Sequence, residues 1–212
     1  MNNWLYKMER RFGRYGIPDL AKYLAIGQLA VWVIVMFFYA DLLNWISLSR
    51  SGLLHGQIWR LVTFILVPPL TINPLYLVLN LYFLYFVGTS LENSWGSFRF
   101  TLYYLIGMAG AILSCLVLGC YSSGAILYSL FFAFACLYPD VEVLLFFILP
   151  IKVKWLGIAA VVLYLMDFLR SSLWYKGAML LGLLNFFLFF GPTLWQNYQN
   201  RKRREAWKNQ WR

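Results

Sequence analysis

Polar side chains in apolar surroundings are costly, and two groups of them interrupt the apolar runs of this sequence. Asn80 lies midway through the apolar run 75–87, and Ser122 and Ser123 lie at a break in a long uncharged run, just before Gly124. A serine hydroxyl becomes a nucleophile when a neighbouring base takes its proton. The alternatives are structural, because an asparagine also bridges two helices and a serine also caps the start of one.

The chain offers few bases or metal ligands to accompany these polar groups. His55 is the only histidine, and Cys115, Cys120 and Cys136 are the only cysteines. An odd number of cysteines inside apolar runs, without the spacing of metal ligands, predicts buried thiols and argues against a disulfide framework or a zinc site. The sequence therefore predicts no metal and no cofactor.

The elements that hold these residues must be membrane helices. Hydrophobic residues make up 62% of the 212, aromatic residues 20%, and charged residues only 12%. A soluble domain carries about a quarter charged residues, so this composition excludes a water-soluble globule, and its hydrophobicity excludes a disordered chain. We expect one membrane-embedded unit without a sizeable extramembrane domain.

The apolar runs predict six membrane-spanning helices, each of which needs about 20 mostly apolar residues. The uncharged run 100–139 is too long for one crossing, and residues 119–124 are its only plausible break. Prolines at 68, 69 and 74 separate a loop or re-entrant piece at 61–71 from the span that follows. The expected spans are 23–40, 72–91, two within 100–139, 154–169 and 177–195.

Basic residues flank this apolar body and give the chain a formal net charge of +10. A nucleic-acid-binding protein spreads basic residues over one folded face, so we exclude that partner. With six spans, 14 of the 18 lysines and arginines fall on the side of the two ends, which the positive-inside rule assigns to the cytoplasm. We expect a basic cytoplasmic N-terminal arm (1–22), a six-span membrane domain (23–195) and a basic cytoplasmic tail (196–212), in a bacterial plasma membrane.

The connection 41–71 between the first two spans is too apolar for a solvated loop. It predicts an amphipathic segment that lies in the membrane interface. Within it, Trp59 and Arg60 are expected to anchor the loop, with the guanidinium on lipid headgroups or on backbone carbonyls.

Four short motifs, taken in order along the chain, resemble the rhomboid superfamily. HGQIWRLVT at 55–63 contains a Trp-Arg element similar to that of the family's first outer loop, and NPLYLVLN at 73–80 resembles its second-span motif. GTSLENSWGSFRF at 88–100 is similar to the junction of its second and third spans, and SSGAI at 122–126 to the nucleophile motif that opens its fourth. The resemblance covers about 57–191 and implies an all-α bundle of six transmembrane helices.

The same resemblance implies a role for each candidate residue and exposes departures from the family's pattern. Ser123 occupies the nucleophile position, but Tyr175 stands where a sixth-span histidine serves as base. Tyr76 replaces the second-span histidine of the oxyanion hole, while Asn80 is retained, and Tyr121 replaces a glycine before the serine. Loss of a triad base or of an oxyanion donor each costs orders of magnitude in rate. We therefore predict a rhomboid-like pseudoprotease.

Glu92 and Arg99 lie in the motif between the second and third spans. We expect them in a turn on the inner side of the membrane, where they satisfy backbone ends and fix the packing of the two spans.

Non-proteolytic relatives such as derlins bind transmembrane clients and thin the bilayer locally, which a short fifth span favours through hydrophobic mismatch. The resemblance thus implies a client-binding protein whose partners are transmembrane helices and lipid, with Asn80, Ser123 and Tyr175 lining a polar cavity. One alternative is an active intramembrane serine protease with a neutral Lys176 as base. Another is a small-solute transporter, which predicts internal repeats with broken helices.

Overall fold

Helices account for most of the residues that the computed structural model describes, which are 3–39, 41–68, 73–119, 123–145 and 149–191. In chain order the helices are α1 (Asn3–Phe12), α2 (Leu20–Phe37), α3 (Leu42–Ile46), α4 (Arg50–Leu54), α5 (Arg60–Thr63), α6 (Pro74–Trp95), α7 (Ser97–Leu118), α8 (Ser123–Leu137), α9 (Val153–Arg170), α10 (Leu173–Gly182) and α11 (Leu184–Gly191). Short 3-10 turns lie at Gly13–Tyr15 and Phe64–Leu66.

Each of the six predicted spans corresponds to one helix or to one bent pair of helices. By length and hydropathy, α2, α6 and α7 are able to cross a membrane, and α10 with α11 makes a fourth candidate that bends by 48°. Helix α8 is apolar but has only 15 residues, and the 18 residues of α9 include three charged ones. The predicted count of six spans therefore exceeds the three or four that these criteria find among the described residues, and it stays a prediction.

The predicted break between the third and fourth spans is present. Helix α7 ends at Leu118, and Gly119 caps it with a φ of 74°, a left-handed conformation that glycine adopts without strain. Helix α8 begins at Ser123. Residues 120–122 lie outside the described part of the chain.

A small β-hairpin departs from the predicted all-α fold. Strands β1 (Glu142–Leu145) and β2 (Leu149–Lys152) pair antiparallel, with Glu142 opposite Lys152, where the sequence analysis expects only a connection between two spans. The Val153 amide closes the hairpin by donating a 2.8 Å hydrogen bond to the Val141 carbonyl. The charged pair at its open end suggests a loop, but the aliphatic residues between favour a strand.

The segment 41–66, which contains α3, α4, α5 and the 3-10 turn that follows and is called the first outer loop after its predicted position, has one buried side and one exposed side. Leu48 and Phe64 are buried in the core, whereas Trp45, Leu54 and Ile58 are exposed. The predicted position of this segment in the membrane interface stays a prediction. The loop packs against α2, which in turn packs against α6.

Candidate functional site

Helix α6 presents Tyr76 and Asn80 to one cavity. The helix begins at Pro74, whose missing amide hydrogen is no loss at the first helical position, and the Asn73 side chain accepts a 3.0 Å hydrogen bond from the Leu75 amide. Residues four apart lie on the same face of a helix. Both Tyr76 and Asn80 line a cavity of about 720 Å³.

This larger cavity is bounded by α2, the first outer loop, α6 and α8. On one side Gln28 of α2 donates a 2.9 Å hydrogen bond to the Ile65 carbonyl of the loop. Phe83 and Phe131 line the cavity with ring centroids 5.3 Å apart. A mostly apolar cavity with a few fixed polar groups has the composition of a binding site.

The nucleophile position lies beside this cavity. Ser123 is the first residue of α8, but its side chain and the whole of Tyr121 lie outside what the structure describes. The next residue, Gly124, lines the larger cavity and also a smaller one of about 370 Å³. Gly124, the residue after the nucleophile position, therefore stands where two cavities meet.

Tyr175 belongs to the smaller cavity, which lies among α8, α9 and α10. It stands near the start of α10, where the Ser172 hydroxyl accepts a 3.4 Å hydrogen bond from its amide. Tyr175 was expected to share a cavity with Asn80, but the two residues line different cavities. Tyr128 lines both cavities, and its ring packs against Tyr164 with centroids 5.1 Å apart. The sequence did not predict this pair of tyrosines, because their contact depends on how α8 packs against α9.

His55 and Lys176 are the candidate bases for Ser123, and the structure gives each of them another contact. The Nδ1 atom of His55, the only histidine in the chain, lies 2.7 Å from the Ser51 carbonyl oxygen in the first outer loop. The Lys176 ammonium lies 5.8 Å from the centroid of the Phe168 ring. No histidine or lysine occurs among the described residues that line either cavity. The described part of the chain also holds no group of acidic, histidine and cysteine side chains suited to a metal ion.

The family model of the Rhomboid domain matches residues 55–190, which is more than half of the chain. The chain belongs to the rhomboid family. Together with the long apolar helices, this membership makes it an integral membrane protein. Comparison with curated proteins and with solved structures gives no significant match.

In the first outer loop of this rhomboid domain, Arg60 is buried and ties two turns together. Its Nε donates to Gln57 Oε1 at 2.5 Å, and its Nη1 donates to the Ser47 carbonyl at 2.6 Å. Trp59 is half-exposed and donates a 3.3 Å hydrogen bond from Nε1 to the Trp45 carbonyl. The Arg60 guanidinium was expected on lipid headgroups or on backbone carbonyls, and in the structure it binds a backbone carbonyl.

The junction between α6 and α7 binds the N-terminal arm. The buried Glu92 accepts two hydrogen bonds at Oε1, each 2.8 Å long, from the Asp19 amide and the Ser97 hydroxyl. Arg99 forms a 2.5 Å ion pair with Glu9 of α1. Both residues were expected in a turn, but Glu92 lies within α6 and Arg99 within α7, because Gly96 alone separates the two helices. Glu92 and Arg99 connect the rhomboid domain to α1 and to the start of α2, a role that the sequence analysis missed.

A buried polar network around Asn185 is a second feature that the sequence analysis missed. The Asn185 amide donates to Ser129 Oγ at 2.9 Å and to the Tyr103 carbonyl at 3.4 Å, and its oxygen accepts from the Phe186 amide. The Tyr103 hydroxyl donates to the Ser129 carbonyl at 2.8 Å. The sequence did indicate this network, because Asn185 is a lone amide in the apolar run 183–190 and such a group must find partners on other helices.

Proposed function

We propose that this rhomboid-family protein binds transmembrane clients and does not hydrolyse peptide bonds. The observation that carries the proposal is the set of side chains beside the nucleophile position, which contains neither histidine nor lysine among the described lining residues. A serine hydroxyl is a poor nucleophile without a base. Tyr175 supplies a phenol at the position where the resemblance implies an imidazole, and imidazole is the side chain that usually serves as general base in catalysis.

The alternative of a serine–lysine protease receives no support from the position of Lys176. Its amine lies against the Phe168 ring of α9, in a cation–π contact. A base must lie within hydrogen-bond reach of the hydroxyl that it deprotonates, at about 2.6–3.2 Å or through one water. Lys176 is absent from the described lining of the larger cavity and of the smaller one.

Client binding is supported by the larger cavity. Tyr76 and Asn80 place a hydroxyl and an amide in a lining that is otherwise mainly apolar. A transmembrane helix with a polar or partly unwound segment has unsatisfied groups in the bilayer, and such groups gain hydrogen bonds by docking here. A purely apolar helix gains none of these bonds. We therefore expect the protein to prefer marginally hydrophobic clients.

Local thinning of the bilayer is supported by the lengths of two helices. At about 1.5 Å per residue, the 15 residues of α8 extend about 22 Å and the 18 residues of α9 about 27 Å. The hydrocarbon core of a bilayer is about 30 Å thick. Lipid around short helices must thin to avoid exposing their ends, which lowers the cost of holding a marginal client beside them.

We also propose that six segments, α2, α6, α7, α8, α9 and the bent pair α10–α11, cross a bacterial plasma membrane with both chain ends in the cytoplasm. The support is the excess of lysine and arginine in the connections that this topology places inside.

Proteolysis is tested in proteoliposomes that hold the full chain and a panel of single-span substrates. We expect no cleavage by the wild type or by Ser123→Ala, while an active rhomboid protease in parallel vesicles shows that the substrates are competent. Wild-type cleavage that Ser123→Ala abolishes would contradict the proposal.

Client binding is tested by photocrosslinking from benzoylphenylalanine at position 76, with position 113 on the exposed face of α7 as the matched control. The client is a single-span helix with a central asparagine, compared with an all-leucine helix of equal length. We expect crosslinks from position 76 that favour the polar helix, and about a threefold loss in Asn80→Ala, since such a hydrogen bond contributes about 0.6 kcal/mol. Equal crosslinking from both positions, or none from position 76, would rule out the cavity as the client site.

A further inference from the structure

The smaller cavity opens where α9 ends at Arg170 and α10 begins at Leu173. The stretch 155–166 of α9 is uncharged, and charges return at Asp167 and Arg170. A transmembrane helix regains charged residues where it leaves the hydrocarbon, so this cavity lies at the level of the lipid headgroups.

Three tyrosines line the cavity. Tyr128 and Tyr164 pack edge to face, with centroids 5.1 Å apart and an angle of 65° between the rings. The Tyr164 hydroxyl donates a 2.8 Å hydrogen bond to the Met179 carbonyl, which fixes that ring on the side of α10. Tyr175, about two-fifths exposed, completes the aromatic part of the lining at the open side. Clusters of aromatic rings bind organic ammonium ions through cation–π attraction.

A carboxylate and a guanidinium line the same cavity without neutralising each other. Asp167 and Arg170 lie three residues apart on α9, yet within the described ranges the one salt bridge is that of Glu9 with Arg99. Asp167 therefore offers its charge to a cation beside the tyrosines, and Arg170 offers a fork of N–H donors suited to a phosphate. The Ser171 hydroxyl, which also lines the cavity, donates to the Asp167 backbone carbonyl.

We propose that this cavity binds a zwitterion in which an organic ammonium is joined to a phosphate, as in phosphocholine. The ammonium lies among the three tyrosines and Asp167, and the phosphate lies on Arg170. Two sources carry this chemistry, the headgroup of a membrane phospholipid and the free phosphorylated amine. The proposal is independent of whether Ser123 cleaves and of what the larger cavity binds.

The test uses the full chain purified in a maltoside detergent, which contains no ammonium or phosphate. Calorimetric titration measures phosphocholine, tetramethylammonium and inorganic phosphate as separate probes. We expect phosphocholine to bind about tenfold more tightly than either half, because both charges are then engaged. Asp167→Asn and Arg170→Gln should each weaken phosphocholine about five- to tenfold. The matched controls Asp140→Asn and Arg50→Gln alter exposed charges outside the cavity and should leave binding unchanged.

The two sources are separated by native mass spectrometry with diacyl phosphatidylcholine and phosphatidylglycerol. Retention of phosphatidylcholine at far lower concentration than phosphocholine identifies the lipid as the ligand, and equal affinity identifies the free amine. The proposal is overturned if phosphocholine and phosphatidylcholine both fail to bind, or if the cavity variants bind as the controls do. If a variant fails to fold, the affinities of the wild type for the three probes still test the proposal. Equal binding of phosphocholine, tetramethylammonium and inorganic phosphate also overturns it.

Discussion

Asn185 lies on α11 at the place where that helix meets α7 and α8. Its amide reaches Ser129 on α8 and the Tyr103 carbonyl on α7, and it is fully buried. In a bilayer no water replaces a lost partner inside the bundle, so a single amide fixes how three helices are arranged.

Replacing this amide by an apolar side chain of similar size is expected to loosen the contact. Asn185→Leu should lower the free energy of unfolding by about 1 kcal/mol, since two hydrogen bonds between helices are lost and each contributes about 0.6 kcal/mol. Denaturant titration in mixed micelles measures the change. Asn44→Leu, at an exposed position of α3, is the control and should alter stability little. A smaller effect at position 185 than at position 44 would show that the network is not stabilising.

Gly182 permits the closest approach between α10 and α8. A Cβ at this position would overlap the side chain of Ala125, whereas a Cβ on Gly191 would meet no atom of the described residues within 4 Å. Overpacking a tight contact costs about 1–3 kcal/mol. Gly182→Ala should therefore lower the Tm clearly and Gly191→Ala should not, as measured by thermal unfolding in detergent. Equal shifts in Tm for both variants would mean that α8 and α10 move apart at little cost to accommodate the added methyl group.

At the scale of whole elements, the positions of the helices could be predicted from the sequence better than the helices against which each one packs. Uncharged runs locate α2, α6, α7 and α9 because a membrane helix must be apolar over its length, and the break at Gly119 is visible as a polar interruption. The hairpin at 142–152 was not predicted, because its aliphatic residues follow a proline and two charged residues, a pattern that also occurs in loops. Which cavity a helix face lines depends on packing between distant segments, and periodicity carries no information about that.

The N-terminal arm is an element whose docking depends on a few polar contacts. Besides the hydrogen bond from the Asp19 amide to Glu92 and the Glu9–Arg99 pair, the Ile17 amide donates a 3.1 Å hydrogen bond to Thr101 Oγ1. All of these bonds end on the α6–α7 junction, so the arm and the rhomboid domain should move as one body.

Substitutions of Glu92 separate hydrogen bonding from charge. Glu92→Gln keeps an acceptor oxygen for the Asp19 amide and the Ser97 hydroxyl, whereas Glu92→Leu removes it. We expect Glu92→Leu to raise hydrogen exchange at 13–20 about fivefold or more, since about 1 kcal/mol is lost for a buried donor without a partner, and Glu92→Gln to stay close to the wild type. An equal rise in hydrogen exchange in both variants would show that the carboxylate acts through its charge alone.

At the scale of the whole molecule, the proposed topology follows from charge and not from helix length. Single cysteines placed at positions 11, 51, 140 and 172, in a chain whose native cysteines are replaced by alanine, report on the side of the membrane. We expect positions 11 and 140 to react with an impermeant maleimide only from the cytoplasm, and positions 51 and 172 only from outside. Reaction of positions 11 and 140 from opposite sides would exclude six spans.

The motifs of the candidate site were visible in the sequence because they are short and follow one another in a fixed order, and the match of the Rhomboid domain to 55–190 confirms the family. The separation of Tyr175 from Asn80 was not visible, since it depends on how Tyr128 packs against Tyr164. Nor was the small cavity with Asp167 and Arg170, which assembles from three helices.

We propose that neither a histidine nor a lysine takes the proton of Ser123, and covalent labelling of that hydroxyl tests this most directly. Native membranes that contain the full chain are treated with a fluorophosphonate, and the peptide carrying Ser123 is analysed by mass spectrometry, with Ser123→Ala as the background. We expect no adduct above that background at neutral pH, while an active rhomboid protease in the same membranes is labelled. A wild-type adduct on Ser123 that Ser123→Ala lacks would contradict this proposal.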